Sequence, residues 1–523
     1  MPRTQSKPLV LVSLLLAAFV INLDTTLVNV ALPTLTRELG ATNTELQWVV
    51  DAYNLVFAAL LLTFGSLSDR FGRKGMLMAG LLVFGGASVV GAFASTPGEL
   101  ITARAVMGLG AALTFPATLS LLTNVFTTRQ ERALSIGLWG ATGGVAIALG
   151  PIVGGFLLEH FSWSSIFYVF GPVAALVTLL TALYVPQSKD PAPRRLDVSG
   201  LILSAGFMGV LVYTIIEAPN RGWSSAWSIF GFALSVALLA WFIARERQTE
   251  QPMLDVRLFK NMRFSAASGS VTIAFFTLFG FIFLMTQFFQ FVRNFSPLST
   301  GIHLLPVATA VAIGSVVGTR LALRVGTKAI VTFGLVLQVI FYFWVASDIS
   351  PTLSYSIIAV QMVIYGLGMG LTSAPATESI MGAVGANEAG VGSALNDSTR
   401  LLGGTLGVAV IGSVYASLYN SRLNATLPRA IPRALTNTIH QSVGAAYEVA
   451  SRLRADGQVV AGNSVHLAAT NAFVNALSIG CVVAGAVAVG GALLAAGFLP
   501  AQPPQSTTQE MEEDGTVELV ETR

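Results

Sequence analysis

Apolar runs long enough to cross a membrane recur along almost the whole chain. A membrane-spanning helix needs about 20 predominantly apolar residues, and fourteen runs approach or exceed that length. Because lipid offers no water to unpaired backbone groups, only helices and closed barrels span it, and these runs are too long and continuous for barrel strands. The sequence therefore predicts an all-α polytopic membrane protein. The predicted spans are 9–33, 46–66, 76–95, 99–121, 134–158, 163–185, 198–217, 226–245, 264–291, 300–324, 328–347, 353–376, 389–418 and 467–499.

The composition excludes several other classes of protein. Only 11% of the residues are charged, whereas a soluble domain has about 25%. A net charge of +3 is too small to indicate a nucleic-acid partner, and a single cysteine, Cys481, excludes an internal disulfide framework. The sequence contains no G-x-x-x-x-G-K-[ST] nucleotide-binding loop, and no cluster of His, Asp or Glu indicates a membrane enzyme. We expect a protein that is not an enzyme, has no cofactor and is driven by an ion gradient.

Basic residues are distributed unequally between the predicted loops. Of the 29 Lys and Arg residues, 19 fall on the face that carries both termini and 8 on the other. Because short loops rich in Lys and Arg stay in the cytoplasm, both termini are predicted to be cytoplasmic. The N-terminal segment 1–8 and an acidic tail at 500–523, predicted to be disordered, then lie inside. The loop 419–466, with a weak helical stretch near 436–455, lies outside.

An internal repeat divides the chain. "GLGAALTFPAT" at 108–118 returns as "GLGMGLTSAPAT" at 366–377, and "DRFGRK" at 69–74 has a faded counterpart in "LRVGTK" at 323–328. Spans 1–6 therefore correspond to spans 9–14, and spans 7 and 8 are inserted between them. Repeated halves with a substrate site between them are typical of secondary transporters. The predicted units are an N-terminal six-helix bundle at 9–185, a linker with two inserted helices at 186–263 and a C-terminal six-helix bundle at 264–499.

Several motifs resemble those of one transporter family. "GSLSDRFGRKG" at 65–75 resembles the signature loop of the major facilitator superfamily. "LDTTLVNVALP" at 23–33 and "GPIVGG" at 150–155 resemble motifs of its fourteen-span drug:proton antiporter branch, and "WVVDAYNLV" at 48–56 is similar to the subgroup that exports quaternary ammonium compounds. The likeness continues in order through "ARAVMGLGAAL", "QPMLDVRLF", "PLSTGIHLLP" and "ALNDSTRLLGGTLGVAVIGS".

The resemblance implies a major facilitator fold and a function. The implied function is proton-coupled multidrug export of lipophilic, cationic compounds by alternating access, which confers antibiotic resistance from a bacterial cytoplasmic membrane. The alternative is a dedicated exporter of one endogenous product, such as an antibiotic or a cell-envelope lipid. The expected partners are a small-molecule drug or metabolite and the lipid bilayer. Protons are the expected coupling ion, and we expect a functional monomer.

Two aspartates in the first two spans are candidate coupling sites, because a charge within a membrane is expensive and suggests a function. Asp24 lies about 22 Å along span 1, at a rise of about 1.5 Å per residue. We interpret it as a cavity carboxylate that takes a proton or attracts a cation. The alternative is a helix-end aspartate that reaches the outer headgroups or bonds to Thr25 and Asn29. Asp51, near the outer end of span 2, is either a second such group or an exposed helix-start aspartate.

A second group of candidate coupling residues lies in spans 4 and 13. Asp397 and Arg400, with Asn396 beside them, are spaced i, i+3 and so share a helix face. They form either a structural ion pair or a carboxylate whose charge Arg400 tunes. Arg104 in span 4 resembles the family's membrane-embedded arginine. It cannot readily lose its charge, and we expect it to adjust the proton affinity of a carboxylate, although Met107 stands where relatives often have glutamine.

The loop after span 2 and the motif in span 5 are predicted to control gating. The loop residues are Asp69, Arg70, Gly72 and Arg73, and the span 5 residues are Gly150, Pro151, Gly154 and Gly155. The loop is either a basic anchor with a tight turn or, as the resemblance implies, a latch of the outward-facing state. We expect Asp69, just past span 2, to cap span 3 or to pair with Arg132. Span 5 is predicted to kink at its proline and to pack closely through its glycines, and in relatives its motif marks exporters.

The residues of spans 9 and 10 indicate which type of cargo the protein carries. Span 9 contains eight phenylalanines within 273–291, most of them expected to face lipid or the core. A few, with Met285 and Gln287, are candidates for a cavity that meets cationic drugs. Dication exporters of the subgroup carry an extra carboxylate in span 10, and 306–318 has none. We therefore expect monovalent cations or neutral compounds to be handled better.

Overall fold

The computed structural model describes residues 6–189, 197–383, 389–428 and 431–501. Within these ranges fourteen helices are long and apolar enough to cross a membrane. They are α1 (Lys7–Leu39), α2 (Asn43–Phe71), α3 (Arg73–Gly91), α4 (Pro97–Val125), α5 (Gln130–His160), α6 (Ser165–Tyr184), α7 (Val198–Arg221), α8 (Ala226–Gln248), α9 (Met262–Val292), α10 (Pro297–Val325), α11 (Thr327–Asp348), α12 (Tyr355–Ala383), α13 (Gly392–Thr426) and α14 (Val459–Phe498). Most of the predicted segment 1–8 and of the predicted tail 500–523 lies outside the described residues.

The fourteen predicted spans coincide with these helices, and most of the helices extend beyond the apolar run. Polar caps account for extra turns, as at the start of α2, where the Thr42 hydroxyl accepts a hydrogen bond from the Glu45 N–H and the Glu45 carboxylate accepts one from the Thr42 N–H. The position predicted for Asp69 was wrong, because α2 continues past it to Phe71.

The weak helical stretch near 436–455 is two helices rather than one. They are Arg433–Gln441 and Val443–Ala455, and they lie between α13 and α14. Ser442 separates them because its backbone is extended, and its hydroxyl accepts a hydrogen bond from the Ala445 N–H at the start of the second helix. At Gly444 this second helix lies against Thr36 of α1 and Phe291 of α9.

The two GLG motifs occupy equivalent helix crossings in the two halves. A Cβ atom at Gly110 of α4 would lie 2.8 Å from the carbonyl oxygen of Gly80 in α3. A Cβ atom at Gly368 of α12 would lie 2.6 Å from the carbonyl oxygen of Gly334 in α11. Both crossings therefore bring backbone against backbone, as small residues allow in membrane helices. The repeat seen in the sequence is a repeat of helix packing.

We expect Gly110→Ala to destabilise the N-terminal half. The new methyl group would lie 2.5 Å from the backbone nitrogen of Phe84, so α3 and α4 must separate, at a cost of about 1–3 kcal/mol for overpacking. Gly86→Ala is the matched control, because nothing lies within 4 Å of its Cβ position. Thermal unfolding of the purified protein in detergent measures the difference. Equal midpoints for the two variants would contradict the assigned packing.

Helices α1–α6 and α9–α14 form two halves that meet mainly through two pairs of helices. Helix α2 of the first half packs on α13 of the second, and α5 of the first half packs on α10 of the second. In the repeat, α2 corresponds to α10, and α5 corresponds to α13. The contact between α2 and α13 is therefore related to the contact between α5 and α10 by a two-fold rotation. The inserted helices α7 and α8 pack on each other, and α7 also contacts α2 and α13. Its C-terminal end is fixed where Asn220 donates to the Thr44 hydroxyl at 3.1 Å.

Candidate substrate cavity

A cavity of about 320 Å³ lies between the two halves. Its aromatic wall comes equally from both: Phe57, Phe115 and Trp139 from the first half, and Phe275, Phe279 and Phe281 from the second. Mostly apolar walls with a few polar groups are typical of small-molecule sites. Three of the eight span 9 phenylalanines thus line the cavity, whereas Met285 and Gln287 are not among its lining residues. All eight are buried, so of the two environments expected for most of them, lipid or core, the structure shows the core.

The cavity is closed at the end of the bundle where α1 ends. There α5 and α10 touch through glycines: a Cβ atom at Gly155 would lie 2.5 Å from the carbonyl oxygen of Pro297, and Gly301 lies against the backbone of Pro151. Toward the other end of α5, Gly144 lines the cavity and is exposed. The close approach predicted for the span 5 glycines is confirmed, and it joins the two halves.

The proline of α5 is linked to the motif of α1 in a way that the sequence did not reveal. Pro151 has no N–H to donate to the carbonyl of Ile147, one turn earlier. The Thr26 hydroxyl of α1 donates to that carbonyl at 3.0 Å instead. Gly150 permits this approach, because a Cβ atom there would collide with the Thr26 hydroxyl. The two motifs are therefore parts of one helix contact, α1 against α5.

Asp24 and Arg104 form an ion pair in the interior of the first half. An Asp24 carboxylate oxygen lies 2.6 Å from Nη1 of Arg104, and the two side chains are 1% and 0% exposed. Nε of Arg104 donates to the carbonyl oxygen of Val49 at 2.9 Å, and the guanidinium lies 4.4 Å from the centre of the Tyr53 ring. Met107 provides only a long contact, 3.9 Å from Nη1 to its sulfur.

This ion pair changes the interpretation of Asp24. The aspartate does not line the cavity, whereas Asn22 and Thr25 of the same helix do. The alternative of a helix-end aspartate in the headgroup region also fails, because Asp24 is fully enclosed. Removing one member of a buried pair leaves an uncompensated charge, at a typical cost of about 3–5 kcal/mol. Arg104 of α4 therefore joins α1, through Asp24, to α2, through the carbonyl of Val49.

Asp51 is also buried, but without a counter-ion. It is 0% exposed, and neither carboxylate oxygen has a hydrogen-bond partner among the described residues. The alternative of an exposed helix-start aspartate is therefore wrong. Gln47, one turn earlier on α2, accepts a hydrogen bond from the Ser413 hydroxyl of α13 at 3.1 Å. Asp51 thus lies one turn from a contact between the two halves.

Asp397 and Arg400 lie on the cavity wall, on one face of α13 as their spacing predicts. Oδ1 of Asp397 is 3.7 Å from Nη1 of Arg400, and the side chains are 12% and 35% exposed. Nη2 of Arg400 donates to the Thr377 hydroxyl at 3.1 Å, and this hydroxyl donates to the side-chain oxygen of Asn396 at 3.0 Å. Among the cavity-lining residues that the structure describes, Asp397 and Arg400 are the charged ones.

The loop between α2 and α3 is bonded within its own half. Asp69 pairs with Arg73 at 2.7 Å, and Nη1 of Arg73 donates to the Ser188 hydroxyl at 3.1 Å. The predicted pairing of Asp69 with Arg132 was wrong, because Arg132 donates to the carbonyl of Phe126 instead. Gly72, at φ 115°, has a backbone conformation that favours glycine and allows the tight turn. Beside it, Arg70 lies over the Phe71 ring, 5.8 Å from its centre.

No metal centre accompanies these charges in the described part of the chain. There, no group of three or more His, Cys, Asp or Glu side chains is arranged to hold a metal ion.

The fold and the cavity define a multi-pass membrane transporter. Residues 14–408 match the model of the Major Facilitator Superfamily, and the chain belongs to that family.

Two relatives and one solved structure show how far the similarity extends. The multidrug resistance protein Stp of Mycobacterium tuberculosis is 36% identical over 414 residues, 79% of this chain and 76% of that protein. The methyl viologen resistance protein SmvA of Salmonella typhimurium is 34% identical over 405 residues, 77% of this chain and 81% of that protein. A bacterial homologue of the human lysosomal transporter Spinster, solved inward-facing and unoccupied, has the same fold. Its TM-score is 0.64 at 16% identity, over 94% of this chain and 98% of that chain.

Proposed function

We propose that this transporter exports lipophilic, cationic small molecules from a bacterial cell in exchange for protons. The observation that carries the proposal is the cavity between the halves, which has aromatic walls and one carboxylate, Asp397, facing it. Aromatic faces and a carboxylate in a low-dielectric site attract organic cations. Similarity to proteins named for multidrug resistance supports the same cargo class. We propose further that it works as a monomer in the cytoplasmic membrane, without a cofactor or a nucleic-acid partner.

The distribution of Lys and Arg supports an orientation with both termini in the cytoplasm. In that orientation the end closed by Gly155 and Gly301 faces outward, and the cavity loads from the cytoplasm. The helices Arg433–Gln441 and Val443–Ala455 then lie on the outer surface. An exporter needs a conformation of this kind to collect its cargo.

Asp24 and Arg104 are the proposed proton site. Protonation of Asp24 removes the charge that holds Arg104 and leaves the arginine with neutral partners, Val49 and Tyr53. Because a buried charge without a counter-ion is strongly destabilised, α1 and α4 must then rearrange. Helix α1 also contributes Asn22 and Thr25 to the cavity wall, so a proton bound at Asp24 changes the cavity through α1. Asp51 is a second carboxylate that a separation of α2 from α13 would expose.

The loop around Asp69 is the proposed latch of the opposite conformation. Here Arg73 bonds to Asp69 of its own half and to Ser188, which lies just after α6. When the inner ends of the halves approach each other, the Asp69 carboxylate and the basic side chains of this loop can bond across to the second half. At the corresponding position of that half, Leu323 is 70% exposed and uncharged, so its loop offers a weaker latch.

The proton gradient supplies enough free energy for this exchange. If one proton is exchanged for one monovalent cation, no net charge moves, and each pH unit sustains about a tenfold gradient, worth about 1.4 kcal/mol. If one net charge moves per cycle, a potential of ~150 mV contributes about 3.5 kcal/mol. That amount sustains a gradient of a few hundredfold.

Ethidium efflux tests the proposal directly. Cells that express the wild type are loaded with ethidium, and the loss of fluorescence is followed with and without a protonophore. We expect efflux several-fold faster than in cells with an empty vector, abolished by the protonophore. If the wild type exports no ethidium, the result favours the alternative, a dedicated exporter of one endogenous product such as an antibiotic or a cell-envelope lipid.

A further inference from the structure

A permanent cation projects into the cavity that the proposed cargo would occupy. The Arg400 guanidinium lies 5.3 Å from the centre of the Phe275 ring and 3.7 Å from the Asp397 carboxylate. It therefore partly occupies both the aromatic face and the carboxylate that would attract an organic cation. An arginine remains charged at any physiological pH, so the charge on the cavity wall is balanced even when no cargo is bound.

The internal repeat shows that this charge is not needed for packing. In the first half, Nε1 of Trp139 in α5 donates to the Thr118 hydroxyl of α4 at 3.0 Å. In the second half, Nη2 of Arg400 in α13 donates to the Thr377 hydroxyl of α12 at 3.1 Å. Thr118 and Thr377 end the two repeated motifs and correspond to each other. A neutral donor performs this contact in one half, so the charge of Arg400 is an addition that concerns the cavity.

We propose that Arg400 is a specificity-determining residue that limits the cargo to molecules with a single positive charge. This inference rests on the proposed function and names the charge class of its substrate. A singly charged cargo shares the Asp397 carboxylate with Arg400, which stays bonded to Thr377 and is 35% exposed, so the site then carries one excess positive charge. A second cationic centre on the cargo finds no further carboxylate on the cavity wall that the structure describes, and Arg400 repels it.

The wall opposite α13 does not change this balance. Helix α10 contributes Val307, Ala308, Val311 and Ser315 to the cavity, and none of these is charged. Behind the wall, Asp24 and Arg104 neutralise each other at 2.6 Å. Asp397 and Arg400 therefore determine which cargo charge the cavity accepts.

Equilibrium binding to the purified protein tests the role of Arg400 without depending on transport. Ethidium, a monocation, reports binding by its fluorescence, and methyl viologen, a dication, is measured by displacement. We expect wild type to bind ethidium and to bind methyl viologen weakly. In Arg400→Gln, which keeps a donor for Thr377, we expect methyl viologen affinity to rise at least about tenfold relative to ethidium, or about 1.4 kcal/mol. Arg320→Gln, an exposed position on α10, is the control and should change neither affinity.

Each outcome of this experiment is decisive. An unchanged ratio of the two affinities in Arg400→Gln, with ethidium still bound, would overturn the role of Arg400 and leave the proposed function intact. Failure of the wild type to bind either cation would instead contradict the proposed function. Arg400→Trp, which copies the Trp139 arrangement, is the second variant if Arg400→Gln does not fold, and the same change in ratio is expected. Arg400→Lys retains the charge and should keep the wild-type preference.

Discussion

Asp24→Asn is expected to abolish proton-driven export of ethidium while leaving the cavity able to bind it. The asparagine cannot be charged, so α1 can no longer alternate between a state that holds Arg104 by an ion pair and a protonated state that releases it. Cargo binding should persist, because Asp24 does not line the cavity and Asp397 does. We expect efflux in cells to fall to the level of an empty vector. Ethidium affinity should be reduced but still measurable, because a neutral side chain at position 24 mimics protonated Asp24, which changes the cavity through α1.

The loss of folding stability in Asp24→Asn must be distinguished from the loss of coupling between proton and cargo transport. Asp24→Asn leaves Arg104 buried without a counter-ion, and we expect a loss of about 3 kcal/mol. The double variant Asp24→Asn with Arg104→Gln removes both charges and should recover much of that stability without recovering transport. Asp348→Asn, an exposed change at the end of α11, is the control for loss of one carboxylate. Wild-type efflux in the double variant would show that the ion pair is structural only.

Gly155→Val is expected to prevent closure of the cavity at the end where α1 ends. The Cβ position of Gly155 is 2.5 Å from the carbonyl oxygen of Pro297 and 2.7 Å from Cα of Leu298. Neither is a side-chain atom that can turn away, so α5 and α10 must separate. We expect transport to fall at least about tenfold and the protein to favour conformations that are open at this end. Gly137→Val is the matched control on the same helix, because Gly137 does not line the cavity and nothing lies within 4 Å of its Cβ position.

Distances between spin labels measure this separation. Labels at Ser162 and Thr352, both exposed, report the spacing of the two halves when Cys481 is replaced by serine. Gly155→Val should lengthen the distance distribution by several ångströms, and Gly137→Val should leave it unchanged. Identical distributions for wild type and Gly155→Val would mean that the contact between α5 and α10 does not hold this end closed.

The sequence predicted the helices and the motifs better than it predicted the polar contacts. Hydropathy located the fourteen spans, because each must be apolar over the thickness of a membrane. The i, i+3 spacing predicted the pairing of Asp397 with Arg400, which depends on one helix only. The pairing of Asp24 with Arg104 joins positions 80 residues apart, and no local pattern indicates it.

Two further contacts were missed for a related reason. The Thr26 hydroxyl replaces the N–H that Pro151 lacks, and the only signal was that a proline leaves a carbonyl without its donor. Burial of Asp51 depends on α13 packing over α2, which the sequence of α2 alone does not specify. In each case the sequence does not specify which helices are in contact, or at which position along their axes the contact lies.

Proton-coupled export is tested most directly by measuring proton movement and ethidium movement together in the purified, reconstituted protein. Liposomes that contain the wild type and an internal pH indicator are given an outward ethidium gradient at equal pH. We expect protons to enter as ethidium leaves, and an imposed inside-acid pH gradient to drive ethidium inward. Asp24→Asn should show neither movement while still binding ethidium. Ethidium flux without proton flux in the wild type, or proton-coupled flux in Asp24→Asn equal to wild type, would contradict this expectation.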